Sequence, residues 1–168
     1  MSEVPYFVQL DEALEICMKR KIKTETEELP LDLCHNRILA TDLVSKVDDP
    51  PFDNSAMDGF AMRYEDTKSP PTTLDIIATI QAAGQEDDVV VKKGQAVRIM
   101  TGAPMPKGAD SILQIEMTEV DGNRVTLLKE SMPDFIRFRG ENLKKGQVAI
   151  TSGTLLTPSQ IGLSLIHI

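Results

Sequence analysis

The sequence predicts an α+β chain, and three observations predict it. An apolar stripe of helical period runs through residues 8–22. A helix start stands at Thr157-Pro158-Ser159-Gln160. Between them, prolines and glycines cut the chain into short β-branched runs.

In the first helix Leu10, Leu14, Cys17 and Met18 recur at three- and four-residue spacing, with Asp11, Glu12, Glu15, Lys19 and Arg20 off that stripe. Acids come early and bases late, which suits the helix dipole. Leu29, Leu31 and Leu33 alternate with Pro30 and Asp32, a short half-buried strand pattern that the proline places at an edge or a strand start. Residues 37–40 read as a helical turn and 41–47 as a strand. Asp48-Asp49-Pro50-Pro51-Phe52 is a break, because two prolines after two acids continue neither element. Strands follow at 74–82, 96–100 and 111–115. Val120 and Val125 flank Asp121-Gly122-Asn123-Arg124, a hairpin signal. Lys-Lys-Gly-Gln occurs at 92–95 and again at 144–147, each time before a short apolar strand. This is one turn chemistry used twice, with glycine taking a positive φ, and not a domain repeat. Residues 148–150 form the last strand. Thr157 then caps a helix, Pro158 takes its first position, and Gln160 completes a capping box. Ile161, Leu163, Leu165 and Ile166 follow. The chain ends after about three helical turns with no stop signal, and reads as cut rather than finished.

Composition bounds the function. The chain has 168 residues, 41% of them hydrophobic, enough for a real core in roughly one domain or two small ones. No run approaches the ~18–20 apolar residues of a membrane span, and residues 1–5 lack a signal peptide's basic start and apolar stretch. The expectation is a soluble, cytoplasmic protein with no membrane partner. With 18 Lys+Arg against 26 Asp+Glu the net charge is −8, which opposes a nucleic-acid partner. Cys17 and Cys34 have no CxxC spacing, and His35 and His167 lie far apart, so neither a disulfide framework nor a zinc or histidine metal site is expected.

Three segments offer chemistry. Residues 50–61 pack Asp53, Asn54, Ser55 and Asp58 ahead of Gly59. Asp53, Asn54 and Ser55 can satisfy their own backbone through turns; alternatively, side chains on such a turn face a ligand or a bound Mg²⁺, with Asp58 the best metal candidate. Residues 98–110 run from a strand into Thr101-Gly102 and a rigid Pro104-Met105-Pro106 loop. Gly102 permits close backbone approach, and the Thr101 hydroxyl stands as an anion contact against the alternative of an ordinary turn. Arg137 and Arg139, at alternate positions of an extended segment, point to one side, either to clamp a phosphate or carboxylate or to form surface ion pairs.

Together these segments resemble one family, the molybdopterin molybdenumtransferases of molybdenum-cofactor synthesis. The match lies in Pro-Phe-Asp-Asn-Ser-Ala-Met-Asp-Gly-Phe-Ala at 51–61, Arg-Ile-Met-Thr-Gly-Ala-Pro-Met-Pro-Lys-Gly-Ala-Asp at 98–110, Arg-Gly-Glu-Asn at 139–142, and Gly-Thr-Leu-Leu-Thr-Pro-Ser-Gln-Ile-Gly-Leu at 153–163. The resemblance implies an enzyme that takes adenylylated molybdopterin and molybdate, releases AMP and leaves molybdenum on the dithiolene, with Mg²⁺ as helper. It implies a homodimer of four-domain subunits, supplied by a molybdopterin adenylyltransferase or other enzymes of the cofactor pathway. Residues 1–46 with 138–168 would form a discontinuous part-helical domain. Residues 47–137 would form an inserted β-rich domain of sandwich or barrel type. Asp58 and Thr101 match the family's Asn-Ser-x-x-Asp-Gly and Thr-Gly-Ala-x-x-Pro loops and would line a cleft completed by the other subunit's third and fourth domains. Asn54, Ser55, Gly102, Arg137 and Arg139 would contact substrate there.

Two departures shape the expectation. The chain ends before the third domain, so the main pterin- and molybdate-binding loops are missing, and the fragment alone is expected to be inactive. Asn142 stands where many members have Asp, and an amide carries no negative charge. The rival reading is a non-catalytic dimerisation or scaffold module.

Overall fold

The computed structural model describes residues 7–20, 24–82 and 88–167. The described residues are mostly β, with two helices, so strand takes a much larger share than the α+β expectation implied. In chain order the elements are α1 (Leu10–Lys19), β1 (Leu43–Val44), β2 (Asn54–Ser55), β3 (Gly59–Met62), β4 (Thr72–Ile80), β5 (Gln95–Ile99), β6 (Ser111–Gln114), β7 (Thr118–Asp121), β8 (Arg124–Leu127), β9 (Ile136–Arg137), β10 (Val148–Ile150) and α2 (Pro158–His167). No helix among the described residues is long and apolar enough to cross a membrane.

Six strands form one sheet in the order β6-β3-β5-β4-β8-β7. All neighbours are antiparallel except β4 and β5, which run parallel. Alternation along the strands divides the core. Phe60, Met62, Leu74, Ala96, Leu113, Val125 and Leu127 pack together, while Ala61, Val97, Ile99 and Ile112 join Ile80, Val91 and Ala103 in a second cluster. Gly59 opens β3 because nothing larger fits: a Cβ there would lie 2.1 Å from the Leu113 carbonyl oxygen on β6.

Outside this sheet the chain runs as a ribbon. β1 pairs antiparallel with β10, and backbone bonds extend the pairing from Asn36 and Leu156 at one end to Asp49 and Leu143 at the other. α2 lies against β10. At its start the Gln160 side-chain oxygen accepts from the Thr157 amide at 3.2 Å, one half of the predicted capping box, and the Thr157 hydroxyl donates to the same oxygen. The two Lys-Lys-Gly-Gln segments adopt one turn. In each, the first lysine's amide donates to the glutamine Oε1 (3.0 Å at 92–95, 3.2 Å at 144–147), and the glycine has a positive φ of 77° or 86°.

Three local expectations are corrected. Residues 29–33 are not a strand: Leu31–Leu33 is a 3₁₀ turn, closed by the Leu33 amide on the Pro30 carbonyl at 2.9 Å, with Leu33 exposed. Residues 37–40 are extended rather than helical, because Arg37 and Leu39 exchange backbone bonds with Leu156, Thr154 and Gly153; long-range pairing overrides the local preference. The strand expected over 41–47 shortens to β1. The last residues of the first predicted helix, 21 and 22, and the side chains of Ile166 and His167 lie outside the described residues.

Candidate functional site

The three chemical segments meet. β2 pairs with β9, setting Asn54 opposite Arg137 and Ser55 opposite Ile136. The other edge of the same short strand bonds to the second loop: the Ser55 amide donates to the Ala103 carbonyl at 3.0 Å, the Gly102 amide to the Ser55 carbonyl at 2.7 Å, and the Met105 amide to the Asp53 carbonyl at 2.9 Å. Residues 51–61 thus lie between residues 98–110 and the Arg137 segment. Asn54 and Ser55 sit inside this patch, 7% and 1% exposed. Ser55 Oγ donates to the Met57 carbonyl at 2.5 Å and accepts its amide at 3.2 Å, while Asn54 Nδ2 donates to the Phe52 carbonyl at 3.4 Å. Their side chains build the turn, the first of the two alternatives the sequence offers.

Asp58 and Thr101 are in direct contact. Asp58 precedes β3 and Thr101 follows β5, and the pairing of Gly59 with Ile99 brings these flanks together. The Thr101 amide and hydroxyl both donate to Asp58 Oδ1, each at 2.7 Å. Both residues are exposed. The Thr101 amide, then its hydroxyl, hold the Asp58 carboxyl below the usual carboxylate range; the Arg98 charge adds to this, and partial desolvation opposes it. Asp58 is therefore a fixed carboxylate at neutral pH. Thr101, whose hydroxyl the sequence offers as an anion contact, has both donors committed to that carboxylate. Gly102 continues the turn at a φ of 80°.

The arginines are partnered separately. Arg137 Nε donates to Glu141 Oε1 at 2.8 Å, and Arg139 Nε to Asp48 Oδ2 at 2.6 Å. The Lys145 amide and then Arg139 depress the Asp48 carboxyl, and Arg137 and the Phe138 amide depress that of Glu141. The surface ion-pair alternative describes both arginines. Arg139 also borders an open cleft of about 510 Å³ with Phe52, Asp53, Met105 and Lys107. Asp58 and Thr101 are not among its lining residues, so pair and cleft are separate features of one patch. Asn142 Nδ2 donates to Asp49 Oδ2 at 3.0 Å, a bond an ionised Asp at 142 has no proton to make.

Metal chemistry is only partly provided for. Among the described residues no three His, Cys, Asp or Glu side chains converge, so Asp58 is not part of a self-sufficient magnesium site. Its one oxygen without a protein partner suits an ion that takes its other ligands from phosphate and water. Arg98 is the residue that sequence reasoning passed over. It opens the second motif, pairs with Phe60, two residues beyond Asp58, and its charge helps to hold the Asp58 carboxyl ionised.

Comparison with known proteins identifies the family. The family described as MoeA N-terminal region (domain I and II) matches residues 8–166. A molybdopterin molybdenumtransferase of Nostoc sp. is 38% identical over 144 residues, covering 83% of this chain and 33% of that protein. The molybdopterin molybdenumtransferase of Bacillus subtilis is 38% identical over 161 residues, covering 90% of this chain and 37% of that one. The chain thus spans about a third of these curated relatives. The crystal structure of the molybdopterin biosynthesis moeA protein from Pyrococcus horikoshii superposes with a TM-score of 0.85 at 34% identity, over 94% of this chain and 43% of that one. The chain belongs to the MoeA N-terminal family, the region described as domain I and II.

Proposed function

We propose that the chain works as the N-terminal part of a molybdopterin molybdenumtransferase, whose complete form moves molybdenum from molybdate onto adenylylated molybdopterin and releases AMP. The observation that carries this reading is the Asp58–Thr101 contact at 2.7 Å, formed by two family motifs on adjoining strand ends and exposed to solvent. Thr101 fixes the carboxylate in orientation and charge, and the second oxygen of this exposed residue has no hydrogen-bond partner among the described residues. That oxygen would be one ligand of the helper Mg²⁺, which when bound neutralises phosphate charge. The remaining walls of the cleft would come from the rest of a complete enzyme and from the second subunit of a homodimer. In the cytoplasm an adenylyltransferase of the same pathway would supply the nucleotide-bearing pterin.

We further place the domain borders near 47 and 137. The ribbon supports this: the chain leaves it after Asp49, builds the six-stranded sheet, and rejoins it at Leu143. The discontinuous domain would be 1–46 with 138–168, and the inserted one 47–137.

Asp58→Ala in a complete enzyme carrying this region is expected to leave folding intact and to lower AMP release by about 10²-fold, the scale of losing a preorganised electrostatic group. Undiminished AMP release takes Asp58 out of the site. The 168-residue chain alone is expected to release none. The second reading, a dimerisation module, is favoured by α1, none of whose residues is buried.

A further inference from the structure

Thr101 cannot hold an oxyanion with donors it has already committed to Asp58, so any anionic ligand at this rim needs another donor. Arg98 is the cation in place to provide it. It lies on β5 directly opposite Phe60 of β3, with Thr79 of β4 at its other side. Asp58 precedes Phe60 by two residues and is held by Thr101, three residues beyond Arg98, so the end of β5 brings the guanidinium close enough for its charge to act on the Asp58 carboxyl. The Arg98 side chain is exposed, and it makes no hydrogen bond or ion pair among the described residues. Arg37, Arg124, Arg137 and Arg139 each rest on a carboxylate, whereas Arg98, like Arg20 and Arg63, has no such pair among the described residues. A guanidinium carries five donors in a planar fork suited to two oxygens of one phosphoryl group.

We propose that Arg98 is an anion-binding residue of the Asp58–Thr101 site and grips a phosphoryl oxyanion of the ligand, with Thr101 serving only to position Asp58. The assignment rests on reading that pair as ligand-facing. It divides the labour by charge: Arg98 takes the anion, Asp58 faces the cation or donor that accompanies it, and Thr101 keeps the carboxylate still.

The test is an NMR titration of the 168-residue chain with inorganic pyrophosphate at fixed ionic strength, comparing wild type with Arg98→Gln, Arg98→Lys and Arg124→Gln. Wild type is expected to show amide shifts at Asp58, Gly59, Arg98 and Thr101. Arg98→Gln weakens binding by about tenfold, Arg98→Lys retains part of it, and Arg124→Gln, which removes the same charge elsewhere, leaves it unchanged. Shifts that stay at this rim with equal affinity in wild type and Arg98→Gln overturn the assignment of Arg98 but leave the site standing. An equal loss in Arg124→Gln overturns it too, by reducing the effect to net charge. Wild-type shifts confined to other residues, or none, overturn the reading of the Asp58–Thr101 pair along with it.

Discussion

Asp58 keeps its charge because one of its oxygens receives two protons' worth of hydrogen bonding from a single neighbour. This makes Thr101 a positioning residue with a measurable signature. Folded Asp58 binds its proton less readily than the ordinary value of 3.8, so its contribution to stability is fully present above that value and is lost as the pH falls through the depressed folded one. Thr101→Val removes the hydroxyl and keeps the amide. The Asp58 carboxyl is then expected to titrate higher, nearer 3.8, with the acid loss of stability beginning at higher pH; Thr101→Ser is expected to behave as wild type. A carbon-detected NMR titration of the Asp58 carboxyl reads this directly, and an unmoved titration in Thr101→Val assigns the effect to the amide alone. The residues of this contact were legible in the sequence as members of two loops. The contact itself was not, because it depends on the register of β3 on β5. The roles of Asn54 and Ser55 were legible only as alternatives, since turn-formers and ligand contacts share the same polar side chains.

Elements were legible where one local signal sufficed. The Gln160 half of the capping box, the Gly122-Asn123 hairpin and the repeated Lys-Lys-Gly-Gln turn are set by bonds within four residues, and each forms as its sequence indicates. The segments at 29–33 and 37–40 depart from their local signals because their conformation is decided by a proline-led turn and by partners more than a hundred residues away. Gly59 shows the same limit from another side. In sequence it is the second half of an Asp-Gly pair, a turn signal; in the fold it is a strand residue whose missing side chain lets β6 approach. Gly59→Ala places a Cβ 2.1 Å from the Leu113 carbonyl oxygen, which backbone atoms cannot relieve without parting the strands. The expected cost is about 3 kcal/mol, at the upper end of overpacking. A urea melt with a midpoint equal to wild type would show that β6 yields freely.

At the scale of the molecule, distant segments are tied by aspartates. Asp42 accepts the Ser152 amide at 2.7 Å, Asp48 the Lys145 amide at 2.8 Å and Asp53 the Arg139 amide at 2.7 Å, so the ribbon and the patch beneath the site are held in one geometry. Among the described residues α1 has no such tie. A helix of ten residues is marginal in water by itself and draws its stability from packing an apolar face. Yet α1 buries none of its residues, and Leu10, Leu14 and Met18, one stripe at helical spacing, are 74%, 55% and 60% exposed. The proposed homodimer gives that stripe a partner, because two copies related by a two-fold axis can lay the same face on each other. Sedimentation at micromolar concentration is therefore expected to find a dimer. Leu14→Asp, which puts a charge in the middle of the stripe, is expected to shift it to monomer and weaken the far-UV helical signal, leaving the six-stranded sheet intact. A wild-type chain that sediments as a strict monomer, with α1 still helical, would remove self-association as the source of that helix's stability and the dimerisation module with it.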